Sequence, residues 1–212
     1  MKEEFPKINP EEIELQKHIK KIDDFVDSLP KNATLSLTDP FASFWTHYAI
    51  ENENPKMTKF LRDKLENKTL VDLGYGANNI HLNAIKNLNI KKYIGVEKNL
   101  SKIYGADERV RSLTEFFKKS DIKSEIHEQD MLKFVARLPE NSANFLINGI
   151  DSSIIGNEEY WKYLVREIHR ATETNGIITG VNTEVNNFTR EGLFKTVLKE
   201  FDDDFYVLEK EN

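Results

Sequence analysis

The chain has 212 residues, enough for one α/β domain with an extension and too few for two large domains. Its 39% hydrophobic residues include 13 Phe, 7 Tyr and 2 Trp, enough to bury a real core, while 31% charged residues keep the surface solvated. A net charge of -6 argues against general binding to nucleic acid or to an anionic membrane, and the absence of Cys excludes disulfides and thiolate metal sites. The pairs Lys20–Lys21, Lys91–Lys92 and Lys118–Lys119 read as solvated faces balanced by nearby acids. The His residues form no HxH or HExxH pattern, so no metal is expected. The start Met1-Lys2-Glu3-Glu4-Phe5 lacks the apolar core of a signal peptide, and no apolar run is long enough to span a bilayer. A cytoplasmic location with no membrane partner is the expectation.

From Glu11 to Leu29 the residues Ile13, Ile19, Ile22, Phe25, Val26 and Leu29 recur at helical spacing, and Pro30 ends the run. Thr38-Asp39-Pro40 reads as a cap and first-turn proline opening a helix through Ile50. A third helix runs from about Pro55 to Leu65. Residues 1–67 are thus expected to form a helical extension or lid, and 68–212 the core domain. From residue 69 onward strand and helix alternate. The short apolar runs are Thr69–Leu73, Tyr93–Val96, Ser124–His127, Asn144–Asn148 and Ile177–Val181. The helices between them are Ile80–Leu88, Ser101–Lys119, Met131–Leu138 and Glu158–Thr174, the last closed by Asn175-Gly176. A further helix is predicted over Thr189–Phe201 and one last strand over Phe205–Leu208. This alternation predicts an α/β fold, Rossmann-like: a mostly parallel sheet with helices on both faces. In such sheets ligands bind at the carboxyl ends of the strands.

The first strand runs into Asp72-Leu73-Gly74-Tyr75-Gly76-Ala77-Asn78 before a helix. Glycines there let the backbone approach a ligand and adopt angles other residues resist. Alone, they describe any tight strand-to-helix turn. Glu97 closes the second strand, where a carboxylate can take both hydroxyls of a ribose. Asp130-Met131 follows the third strand, in place to frame an adenine. Alone, Glu97 reads as a surface acid and Asp130 as a helix cap; it is their order along successive strand ends that points to a nucleotide site. A dinucleotide fingerprint would need a third glycine where Asn79 stands.

Over roughly Leu70 to Val181 the sequence resembles the class I, Rossmann-like methyltransferases that use S-adenosyl-L-methionine. Their first motif is an acid followed by three glycines at alternate positions. Asp72, Gly74 and Gly76 match it, and Asn78 replaces the last glycine. The resemblance implies that Asp72 orients the turn and the amino-acid end of the cofactor, and that Gly74, Tyr75 and Gly76 give backbone access. It implies that Glu97 holds the ribose, that Asp130 and Met131 contact the adenine, and that Asn148 and Gly149 lie beside the methionine part. The family usually ends in two strands, the last antiparallel. Only Phe205–Leu208 reads as a strand here, so the sheet is expected to lack its last hairpin and to leave an edge open to a homodimer.

Methyl transfer is largely a matter of positioning, so few catalytic side chains are required. Asp151, after the fourth strand, is the best-placed base, although an Asp before Ser152-Ser153 also reads as a turn cap. Glu184 is a weaker candidate. Phe41, Phe44, Trp45 and Tyr48 read as core packing, while His47 and Tyr48 face substrate if the helices form a lid. Asn148-Gly149-Ile150-Asp151 lacks the Pro-Pro-aromatic signature of base and glutamine amino-methylation. A small-molecule acceptor is the leading expectation, with a protein acceptor as the alternative. Two other readings stand beside an active methyltransferase: a degenerate cofactor-binding relative that regulates or scaffolds, and an NAD-dependent oxidoreductase.

Overall fold

The computed structural model describes residues 10–30, 55–76, 82–148, 150, 155–181, 185–200 and 205–211. The predicted helix over residues 38–50 lies outside them. Helix α1 (Pro10–Ser28) starts with proline, whose fixed φ suits a first turn, and carries Glu11 and Glu12 near the positive end of the helix dipole. It is followed by α2 (Pro55–Leu65), β1 (Thr69–Leu73), α3 (Leu82–Asn87) and β2 (Lys92–Val96). Then come α4 (Ala106–Lys119), β3 (Lys123–His127), α5 (Met131–Val135), β4 (Asn144–Ile147) and α6 (Glu158–Ala171). The chain closes with β5 (Ile177–Val181), α7 (Val185–Thr189), β6 (Phe194–Glu200) and β7 (Phe205–Lys210).

The strands form one seven-stranded sheet in the order β3-β2-β1-β4-β5-β7-β6. Pairings among β1 to β5 are parallel, while β7 is antiparallel to both β5 and β6. The central strands are apolar at nearly every position because both faces are covered. Val71, Leu73, Ile94, Val96, Phe145 and Ile147 share one core with α1, α5, α6 and α7. Leu70, Tyr93, Leu146 and Ile177 share the other with α2, α3 and α4. In α6, Tyr160, Trp161, Leu164, Val165 and Ile168 are buried along one stripe, each worth roughly 1.5–3 kcal/mol of apolar burial, which fixes the face it turns to the sheet.

Two predicted helices came out differently. Ser101–Lys119 is a 3-10 turn at Leu100–Lys102 and then α4, separated by Gly105 at φ 73, a left-handed value that an α-helix cannot carry through. The predicted helix Thr189–Phe201 begins at the last residue of the short α7, and the rest of its described part is a turn and the strand β6, so the terminal hairpin exists and the edge expected to lie open is occupied by β6. The reason is a register shift between Thr196 and Leu198. The extra residue turns Leu198 toward the α2–α4 face while Phe194 points to the other. Apolar residues at 193, 194, 197 and 198 then imitate helical spacing in an extended chain.

Helix α1 lies on α5 and α6. Ile22 is fully buried, the Phe25 and Tyr163 rings stand 4.8 Å apart, and Arg137 and Lys133 each pair at 2.6 Å with Asp23 and Asp27. The buried Glu167 carboxylate binds the His18 ring at 2.7 Å and accepts from Arg170 Nε at 2.8 Å. Arg170 in turn donates to the carbonyls of Val135, Ala136 and Leu138 at the end of α5. Among the described residues no helix is long and apolar enough to cross a membrane.

Candidate functional site

The turn after β1 is built from backbone. Gly74 and Gly76 have φ values of 75 and 58, in the left-handed region that favours glycine. The N–H groups of Gly74 and Tyr75 both donate to the Val96 carbonyl, at 2.9 and 3.1 Å, and so tie the turn to the end of β2. The Gly76 N–H donates to Glu97 Oε2 at 3.1 Å, and the Asn99 N–H to Glu97 Oε1 at 3.3 Å. Glu97 is only 6% exposed. Its own N–H donates to the His127 carbonyl and its carbonyl accepts from Gln129, which joins the end of β2 to the end of β3. The glycine turn, Glu97 and the segment leading to Asp130 thus form one hydrogen-bonded rim. Among the described residues, a Cβ built on Gly76 would meet only the Gly74 carbonyl, at 3.8 Å, so the space there is open. On Gly74 it would come within 3.0 Å of the Ile150 side chain.

The other sequence-predicted residues divide in two. Tyr75 offers the turn its main chain alone. Its ring is buried in the α2–α4 core, edge-on to Tyr93 at 6.4 Å and packed over Gly95. Burial first, and then the Asp72 charge, raises its phenol pKa well above the usual value. The Asp72 carboxylate, 2% exposed, accepts from the Tyr93 hydroxyl at 2.7 Å within the same core. Burial, again with Asp72 second, raises Tyr93 strongly, so Tyr93 remains a neutral donor. Asp130 caps α5: its Oδ1 accepts from the N–H groups of Leu132 at 3.0 Å and Lys133 at 3.3 Å. It also accepts from the Tyr160 hydroxyl at 2.9 Å, and its Oδ2 faces the Lys98 ammonium at 3.8 Å. Met131 is half-buried against the α5–α6 core, and Asn148 is half-buried just beyond β4. Asn78, Gly149, Asp151 and Glu184, like His47 and Tyr48, lie outside the described residues.

No family model matches the chain, and no curated protein sequence matches it. Solved structures do. A Pyrococcus horikoshii protein proposed to be an RNA methyltransferase aligns with a TM-score of 0.52 at 15% identity, covering 93% of this chain and 98% of that one. A proposed methyltransferase of Escherichia coli, yhhF, aligns with a TM-score of 0.52 at 10% identity, covering 74% and 83%. The chain has the class I methyltransferase fold.

Within that methyltransferase fold the strand order reverses between the parallel β1 and β4, and the glycine turn stands at this switch point, where open α/β sheets bind ligands. Sequence reasoning passed over Tyr93, Tyr160, Gly180 and Tyr206. A Cβ on Gly180 would fall 1.8 Å from the Ile147 carbonyl oxygen, and that oxygen accepts from the Tyr206 hydroxyl at 3.0 Å. A buried hydroxyl has no local sequence signature. It would take the strand register to pair Tyr206 with Gly180, or the packing of α6 on α5 to bring Tyr160 under Asp130.

Proposed function

We propose that the chain binds S-adenosylmethionine in the crevice above β1, β2 and β3 and transfers its methyl group to an acceptor. The observation that carries this reading is the Glu97 carboxylate, held nearly buried against the Gly76 N–H at the rim of the switch point. A carboxylate accepts up to about four hydrogen bonds, so a group already taking backbone donors retains the chemistry to receive ribose hydroxyls. Among the described residues the space at Gly76 is open, which lets a ligand approach the protein main chain. In this reading Gly74, Tyr75 and Gly76 line the cofactor with main chain, Asp130 and Met131 flank the adenine, and Asn148 adjoins the methionine part. Asp72, held by Tyr93, acts from beneath the turn by fixing it. When bound, the cofactor supplies a methyl on a cationic sulfur, a strong electrophile. The chain's own contribution is alignment, which is worth about 7–11 kcal/mol when the nucleophile is held in line. Asp151 is the proposed base for an acceptor that must lose a proton.

The antiparallel β7 between β5 and β6 favours this over the nicotinamide reading, because the usual dinucleotide-binding sheet runs in the order 3-2-1-4-5-6. The acidic balance favours a small-molecule acceptor. An RNA acceptor is the second reading, suggested by what the Pyrococcus protein is proposed to act on. The division into an extension over 1–67 and a core over 68–212 is also proposed, with α1 docked on the core through Ile22 and Glu167.

Separate titrations with S-adenosylhomocysteine and NAD test the pocket. Saturation at a hundred times the dissociation constant should stabilise the fold by about 2.7 kcal/mol with the first ligand and not the second. Glu97→Ala should weaken that binding at least about tenfold, the worth of a hydrogen bond to a charged group. Unchanged affinity in a folded Glu97→Ala protein would falsify the ribose assignment. Transfer of labelled methyl to a metabolite pool, compared with total RNA and protein, then decides the acceptor.

A further inference from the structure

Asp130 is held in an unequal way. Its Oδ1 receives three donors, the Leu132 and Lys133 N–H groups and the Tyr160 hydroxyl. Among the described residues, its Oδ2 faces the Lys98 ammonium, at 3.8 Å, on the side of the β2 turn that carries Glu97. The Tyr160 hydroxyl is itself polarised. It accepts from the Leu132 N–H at 3.3 Å, so its single proton goes to Asp130. Tyr160 is fully buried and stands in the first turn of α6, where Asn157 caps the helix by accepting from the Tyr160 N–H at 2.8 Å. The phenol comes from a helix whose start is fixed, and one carboxylate oxygen is pinned from three directions.

We propose that Tyr160 is a positioning residue for base specificity: by pinning Oδ1 of Asp130 it leaves Oδ2 facing the crevice, to accept from the 6-amino group of adenine. This rests on the cofactor reading given above. A carboxylate oxygen that cannot rotate accepts from an amino group and repels a carbonyl at the same position. The crevice therefore selects adenosine over inosine ligands through a residue that never touches the base. Tyr160→Phe removes one donor and keeps both backbone donors, so α5 stays capped.

The test is calorimetric titration of the whole chain with S-adenosylhomocysteine and with S-inosylhomocysteine. The native protein should prefer the adenine ligand by about tenfold or more, the worth of one charge-assisted hydrogen bond. Tyr160→Phe should lose most of that preference through weaker binding of the adenine ligand, with the inosine ligand little changed. A merely structural role would weaken both alike, and that result overturns the proposal. Asp130→Asn is the second variant, which keeps the test decisive if Tyr160→Phe does not fold. With its oxygen pinned by Tyr160, the amide nitrogen is forced into the Oδ2 position and donates, so the preference should reverse toward inosine. Equal loss of both ligands in Asp130→Asn overturns the pinned orientation. Native protein that binds the adenine ligand without preference overturns this inference alone. Native protein that binds neither ligand overturns the cofactor reading, and this one with it.

Discussion

At and just beyond the carboxyl ends of β1, β2 and β3 the chain places acids: Asp72, Glu97 and Asp130, each nearly buried and each holding named donors. At the same edge of β4 and β5 the described residues are Ile147, Asn148 and Gly180, and the antiparallel β7 contributes Tyr206, whose hydroxyl closes onto the Ile147 carbonyl. One half of the sheet ends in charge held by hydrogen bonds. The other ends in backbone packed against backbone. The first arrangement costs desolvation and is maintained by buried phenols at Asp72 and Asp130 and by main-chain N–H groups at Glu97, while the second tolerates no added atom. The buried charge thus sits on one side of the switch point and the steric closure on the other.

The largest effect should come from the closed half. Gly180→Ala forces a methyl onto the Ile147 carbonyl and should destabilise by on the order of 3 kcal/mol, read as a fall in denaturant midpoint at constant m. A near-neutral result would mean that β4 and β5 separate there and that the closure is loose. In the charged half, Tyr93→Phe removes a hydrogen bond to the buried Asp72 and should cost about 2 kcal/mol. If chemical denaturation shows only a few tenths, the carboxylate is held by other groups and the contrast between the halves weakens. Gly74→Ala should cost about 1–2 kcal/mol from its positive φ, with added pressure from Ile150, and should also reduce cofactor binding.

A smaller and graded effect is expected with pH. Tyr75, Tyr93 and Tyr160 all have pKa values raised above the ordinary 10, chiefly by burial. Their contribution is complete below pH 10. Above it the unfolded chain releases phenolic protons that the native chain keeps, so stability falls as pH rises toward the folded-state values. Phenolate absorbance should then appear in two phases: exposed tyrosines such as Tyr104 first, and Tyr75, Tyr93 and Tyr160 only with unfolding. A single early phase accounting for all of them would show that the buried phenols are accessible to hydroxide.

Much of this was legible in the sequence. Strands buried on both faces are short apolar runs with punctuated ends, so β1, β2, β4 and β5 could be read directly, and the strand-end rule then led to Glu97 and Asp130. Asp130 also kept its plainer role, since it does cap α5. What escaped had a physical reason. A register shift disguised β6 as a helix. A left-handed glycine divided a run whose charge pattern looked continuous. Tyr93 and Tyr160 meet their carboxylates 21 and 30 residues away in sequence, and only the completed tertiary structure brings those pairs together.

Helix α5 has five residues, too few to hold its own direction. It is grasped at both ends by α6, through Tyr160 in the first turn and Arg170 in the last. Those two side chains are separated by about 15 Å of regular helix, at ~1.5 Å per residue. The longer element thus works as a caliper whose opening is set by peptide geometry rather than by packing. Since α1 hangs from the same Glu167–Arg170 jaw, a pull on that first helix is transmitted to the carbonyl end of α5, opposite the carboxylate of Asp130.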